Sequence, residues 1–155
     1  MSIADDRNCI ERTVDLDAPI ARVWRALTDH EEFGAWFGVR LERPFRVGET
    51  TRGHLTDPGQ EQVEWVTTTE RMEPQSVFAF SWAPGALDPD TEYADDARMM
   101  TEFRLESIAT GTRLTIAESG FAQFPKAKCS EILRMCTLGW DAQVRNVTAH
   151  VEASR

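Results

Sequence analysis

Apolar and polar residues alternate from near the start of the chain. In Cys9–Leu16, Ile10, Val14 and Leu16 share one parity and polar residues, Glu11 and Asp15 among them, fill most of the other, the pattern of a half-buried strand. Asp17-Ala18-Pro19 then opens a helix, with Asp17 as the expected N-cap and Pro19 near the first turn. Ile20, Val23, Trp24 and Leu27 form one apolar stripe at helical spacing. Thr28 and Asp29 interrupt it, and a second short helix carries Phe33, Trp36 and Phe37 up to Gly38. From Val39 to about Ile116 the pattern is that of strands. They are expected near 40–46, 50–56, 62–72, 77–82, 101–105 and 113–116. Val47-Gly48-Glu49, Asp57-Pro58-Gly59, Glu73-Pro74-Gln75 and Gly111 mark turns. The last stretch, from about Lys126 to Glu152, has no proline. It repeats Ile132, Cys136, Trp140, Val144, Val147 and Val151 at steps of three or four. A helix of that length spans roughly 40 Å at 1.5 Å per residue, enough to cross a whole sheet.

The order is therefore one strand, two short helices, about six strands and one long helix. Consecutive strands joined by short turns form an antiparallel meander, because parallel pairing needs crossover helices. No internal repeat or linker divides residues 1–155, so a single α+β domain is expected. The one sustained loop runs from Ala83 to Arg98.

Composition and charge narrow the function. At 155 residues the chain can bury a core without disulfide or metal support. Seventeen Lys and Arg stand against 26 Asp and Glu, a formal charge of −9. That balance disfavours nucleic acid and anionic membranes, which require clustered cations. No segment approaches the roughly 20 apolar residues of a spanning helix, so no membrane insertion is expected. The polar, acidic stretch Met1–Asn8 lacks the apolar run of a signal peptide. Cys9, Cys129 and Cys136 read as reduced thiols of a cytoplasmic protein.

Few groups suggest chemistry. His30, His54 and His150 have no metal-ligand spacing, and Cys-x-x-Cys is absent, so no metal or cofactor is expected. Neither a nucleophile elbow nor a phosphate-cradling glycine loop occurs, so no catalytic residue is assigned. Asp88, Asp90 and Glu92 alternate like calcium ligands. Tyr93 and Met99, however, fall where an EF-hand needs glycine and a bidentate glutamate. This acidic stretch reads as a solvated loop, a candidate lid. Glu64, Glu70 and Arg104 lie in strands; the outward, cross-strand-paired orientation is favoured, and Glu70's face is left open because neither parity of 62–72 is cleanly apolar.

The aromatics are the most informative feature: five Trp and eight Phe in one small domain. Phe78, Phe80 and Trp82 share a strand face and could meet Phe103 and Leu105 on a neighbour. The long helix would oppose them with Met135, Cys136, Gly139 and Trp140. A glycine inside a helix costs roughly 1 kcal/mol against alanine, so Gly139 implies either close approach of the sheet or room for a ligand. Taken singly, each of these residues is better explained as core filling.

The run Ala21-Arg22-Val23-Trp24-Arg25-Ala26-Leu27-Thr28-Asp29, followed by Trp36-Phe37, resembles the opening of the homologues of the activator of the heat-shock protein 90 ATPase, within the START-like, birch-pollen-allergen-like superfamily. Val47-Gly48-Glu49, Glu73-Pro74 with Ser81-Trp82, Gly111 to Ile116, Glu118-Ser119-Gly120-Phe121 and Gly139-Trp140 follow in the family's order. The chain departs from that pattern at Glu49, where relatives often carry glycine, and at Glu118, where they often carry histidine. The resemblance implies a helix-grip fold: a seven-stranded antiparallel sheet curled around the C-terminal helix, two short helices closing one end. It also implies a cavity for a hydrophobic ligand such as a lipid or polyketide. The expected pocket residues are Trp65, Phe80, Trp82, Phe103, Met135, Cys136, Gly139 and Trp140.

The expected function is thus binding of a small hydrophobic molecule. The alternatives are a cyclase- or hydrolase-type enzyme, using Glu64, Glu70, Arg104 or His54 in the same cavity, or a protein-interaction module. A homodimer is left open. The eukaryotic activators carry an additional N-terminal chaperone-binding domain that nothing ahead of residue 10 supplies here, so no chaperone partner is expected.

Overall fold

A computed structural model describes residues 9–153. The strands are β1 (Cys9–Leu16), β2 (Val39–Leu41), β3 (Thr50–Leu55), β4 (Glu64–Glu73), β5 (Val77–Trp82), β6 (Met99–Ile108) and β7 (Gly111–Ser119). The helices are α1 (Ile20–Thr28), α2 (His30–Phe37) and α3 (Lys126–Ala153). All seven strands pair antiparallel in the order β1-β7-β6-β5-β4-β3-β2. After β1 leaves the edge, α1 and α2 carry the chain to the opposite edge, and the meander returns strand by strand until β7 pairs with β1. The helix-grip α+β class that the resemblance implies is the class observed.

Local chemistry fixes the helix ends. Asp29 caps α2, its Oδ1 accepting from the amides of Glu31 at 3.0 Å and Glu32 at 3.1 Å. Gly38 ends α2 at φ 93°, a left-handed conformation that side chains disfavour. The expected N-cap of α1 is corrected: Pro19 occupies that position without a side-chain cap, and the amide of Asp17 donates to Glu152 in α3. Of the expected strand 40–46 only Arg40 and Leu41 lie in β2, and the pairing ends with the Glu42 amide, which donates to the Arg52 carbonyl at 2.9 Å. The chain bends at Glu42 and Arg43, Pro44 has no N–H to resume a ladder, and Phe45 turns into the core. β6 and β7 run several residues further than the alternation of 101–105 and 113–116 indicated.

The concave face of the sheet carries Phe78, Phe80, Met99, Phe103, Leu114 and Ile116, all buried. Phe33 of α2 sits over it within 6.4 Å, centroid to centroid, of Phe45, Phe80 and Phe103. Helix α3 crosses this face with Ile132, Trp140, Val147 and Val151 buried. Polar ties fix its position: Arg12 of β1 meets Asp141 at 2.7 Å, and Gln143 Nε2 donates to the carbonyl of Phe37 at 2.8 Å. Glu32 joins all three helices, receiving Arg22, Arg25 and His150. Among the described residues no helix is long and apolar enough to cross a membrane.

Candidate functional site: a cavity between sheet and C-terminal helix

The two ends of the grip differ. Toward the C-terminus of α3, Val147 and Val151 are fully buried and the interior is filled. One to three turns earlier α3 presents Cys136, Gly139, Trp140 and Gln143, and there the interior opens into a cavity of about 320 Å³. Packing voids in folded domains rarely exceed one water molecule, whose share of the liquid is roughly 30 Å³. This one, open to solvent at its mouth, lies at the lower end of the roughly 300–1,000 Å³ of small-molecule pockets, and its aromatic lining sets it apart from the polar depressions elsewhere on the surface.

Its walls come from α2, α3, the strands β3 to β7 and the loop after β5. Phe80 of β5, Trp65 of β4, Phe37 of α2 and Trp140 of α3 follow one another along the wall, with Trp65 and Phe80 5.4 Å apart, Phe37 and Trp65 5.7 Å, and Phe37 and Trp140 6.3 Å. Leu55, Val66, Trp82 and Leu87 extend the apolar wall. The exposed lining residues Val63, Glu64, Ala86 and Gly139 mark where it meets solvent. A Cβ built on Gly139 has no neighbour within 4 Å, so this glycine leaves open space rather than admitting the sheet.

Of the eight residues expected to form a pocket, Trp65, Phe80, Trp82, Cys136, Gly139 and Trp140 line the cavity together. Two do not. Phe103 lies beneath its floor, fully buried against Phe78, Phe80 and Trp140. Met135 is 51% exposed, because one residue before Cys136 is about 100° around the helix and faces solvent.

The polar residues considered for catalysis divide similarly. Glu64 stands at the rim. Glu70 is the bulge residue of β4, where the register with β5 shifts, and its carboxylate accepts from Ser81 Oγ on the convex face at 2.6 Å. Arg104 is exposed and pairs with Glu11 and Glu102. His54 is exposed opposite Arg40 and Glu64 on neighbouring strands. None of these three lines the cavity.

The buried acidic group of the cavity is one that the strand pattern did not single out. Glu118 ends the inward row Thr112, Leu114, Ile116 of β7 and is only 5% exposed. Its Oε1 accepts from Trp140 Nε1 at 2.8 Å and its Oε2 from Thr101 Oγ1 at 2.6 Å. Thr101 Oγ1 in turn accepts from Trp82 Nε1 at 3.0 Å. Burial among aromatic rings pushes the Glu118 carboxyl above the usual carboxylate range, and the two donors offset this only in part. Burial and the neighbouring Glu118 also push the Cys136 thiol up to about 12, making it a small neutral wall residue rather than a nucleophile. Thr67 Oγ1, also in the wall, is buried without a hydrogen-bond partner among the described residues.

The loop beside the mouth is tied down. Ala86 and Leu87 line the cavity, and the adjoining Asp88 accepts from Lys128 Nζ of α3 at 2.8 Å and from Tyr93 Oη at 2.6 Å. These bonds hold the Asp88 carboxyl at about 2. The phenol of Tyr93, covered and facing that carboxylate, is pushed up to about 12.

A curved antiparallel sheet gripping a long C-terminal helix, with a largely apolar cavity between them, defines a helix-grip fold. The chain belongs to the family of activator of Hsp90 ATPase homolog 1-like proteins, whose model matches residues 17–152. Solved structures show the same fold. A protein of Nitrosomonas europaea is similar at TM-score 0.76 and 17% identity, over 99% of this chain and 100% of that one. One of Mesorhizobium loti gives 0.74 and 19%, over 95% and 98%. A putative protein of the dynemicin biosynthetic locus gives 0.70 and 22%, over 96% of this chain and 48% of that one. No curated protein matches the chain.

Proposed function

We propose that the protein binds a small, largely apolar molecule in the cavity between the sheet and α3. The observation that carries this reading is the aromatic lining: about 320 Å³ bounded by Phe37, Trp65, Phe80, Trp82 and Trp140, with no side chain at Gly139 to fill it. Water in such a space would meet few polar partners, so an apolar occupant gains by displacing it. Family membership and the shared fold support the reading without naming the ligand.

A thermal-shift screen against lipids, polyketides and aromatic compounds tests it, because a ligand that binds only the folded state raises its stability. Stabilisation of the wild type that is lost in Gly139→Phe, whose ring would occupy the cavity, is the expected result. No stabilisation by any apolar compound overturns the proposal.

One observation favours an enzymatic second reading of the same cavity. Glu118 has the features of a tuned acid or base: a carboxyl buried in an apolar wall, oriented by fixed donors and driven above its normal range. Catalysis would then require Glu118, and turnover of any stabilising ligand that survives Glu118→Gln would remove this alternative. Cytoplasmic location and a possible second copy of the chain remain expectations of the sequence.

A further inference from the structure

The charges around the cavity carry a more specific conclusion about what enters it, one that rests on the binding reading above. Among its lining residues the only ionisable carboxyls are Glu118 in the wall and Glu64 at the rim, and no Lys, Arg or His accompanies them. Glu118 has no ion-pair partner among the described residues. Its two hydrogen bonds come from Trp140 and Thr101, both neutral. A buried carboxylate ordinarily has a cationic partner, because removing it from water costs several kcal/mol that neutral donors only partly offset.

The donor pattern points the same way. Trp140 Nε1 can only donate, so Oε1 must accept. Thr101 Oγ1 accepts from Trp82 and keeps its own hydrogen to give to Oε2, 2.6 Å away. Both oxygens can thus be met by donors, but without a positive charge these only partly offset burial, and a cationic ligand would supply what the wall lacks.

The surroundings agree. Aromatic rings with electron-rich faces, among them Trp65, Trp82 and Phe37, line the same space. The loop that contributes Ala86 and Leu87 continues into exposed Asp90, Glu92, Asp95 and Asp96, and the whole chain carries −9. Such a field gathers cations at the mouth and repels anions.

We infer that the cavity selects an organic cation, an apolar or aromatic body bearing a protonated amine, whose ammonium group pairs with the Glu118 carboxylate among the aromatic rings. Fatty acids and other anionic amphiphiles are excluded by the same charges.

Calorimetric titration at neutral pH with three probes on one hydrocarbon body tests this: naphthylethylamine, naphthylethanol and naphthylacetate. The amine should bind the wild type about tenfold or more tightly than the alcohol, as a charge-assisted hydrogen bond predicts. The acid should bind most weakly. In Glu118→Gln the amine and alcohol should converge in affinity, with circular dichroism showing that the variant is folded. Glu64→Gln should keep the amine preference. If the alcohol binds the wild type as well as the amine, or if the preference vanishes in Glu64→Gln rather than in Glu118→Gln, the inference is overturned and the binding reading stands. If none of the three binds, the binding reading fails first and takes this one with it.

Discussion

At Glu118 two effects oppose each other on one carboxyl. Desolvation favours the neutral form, the Trp140 and Thr101 donors favour the ionised one, and desolvation wins. A carboxyl whose folded-state value lies above its unfolded value near 4.5 holds its proton more tightly when folded, so ionising it costs stability. Its contribution is fully present below about pH 4.5 and is lost as pH rises through the folded value. Denaturant unfolding of wild type and Glu118→Gln across this range should show the wild type losing stability relative to the variant as pH increases. A difference that does not change with pH would place Glu118 in contact with solvent. Removing one donor gives a second check. Trp140→Phe leaves an acceptor oxygen buried without its partner and should destabilise by about 1–3 kcal/mol. Glu118 was legible as a residue but not as a site. It has the parity of Thr112, Leu114 and Ile116, yet the apolar alternation stops at Ile116, and a glutamate at the next inward position looks like the end of a strand. Extending the parity by one step would have brought it inside.

At the scale of the element, α3 is a helix made imperfect where the cavity needs it. Gly139 costs roughly 1 kcal/mol of helix propensity and touches nothing across the gap. Gly139→Ala should therefore raise unfolding stability by about 1 kcal/mol without a clash, measured by the same denaturant titration. A loss of stability would mean that the sheet closes onto this position. The 83–98 segment makes the complementary point. Its acidic residues were legible as a loop beside the mouth, but not the clip between Asp88 and Lys128, because the partners lie forty residues apart and neither follows a periodic pattern. Asp88 is lowered from 3.8 to about 2, so the stability it contributes is present above pH 3.8 and is lost as pH falls through about 2. In Asp88→Ala the amides of 83–98 should exchange hydrogen faster at neutral pH while those of β5–β7 keep their protection. Uniform loosening would instead show that the loop is part of the global core.

Across the whole molecule the order of elements was legible because each surface keeps its own period: 2 in the strands, 3.6 in the helices. Irregular pieces were not. The bend at Glu42 and Arg43 ends β2 after three residues, and the bulge at Glu70 turns a strand whose two parities both look polar. Of the pocket, the rings and Gly139 were legible through the resemblance. Met135 and Phe103 were displaced because a neighbour in sequence is a different face of a helix, and a second layer of rings lies under the first.

The central claim is that the space between sheet and α3 is where a ligand sits, and the five tryptophans report on it directly. Each indole N–H gives its own resonance in a nitrogen–proton correlation spectrum. Trp65, Trp82 and Trp140 line the cavity, whereas Trp24 and Trp36 do not. Titration with a stabilising ligand should shift the first three and leave Trp24 and Trp36 in place. Shifts confined to Trp24 and Trp36, or none at saturation, would contradict the account.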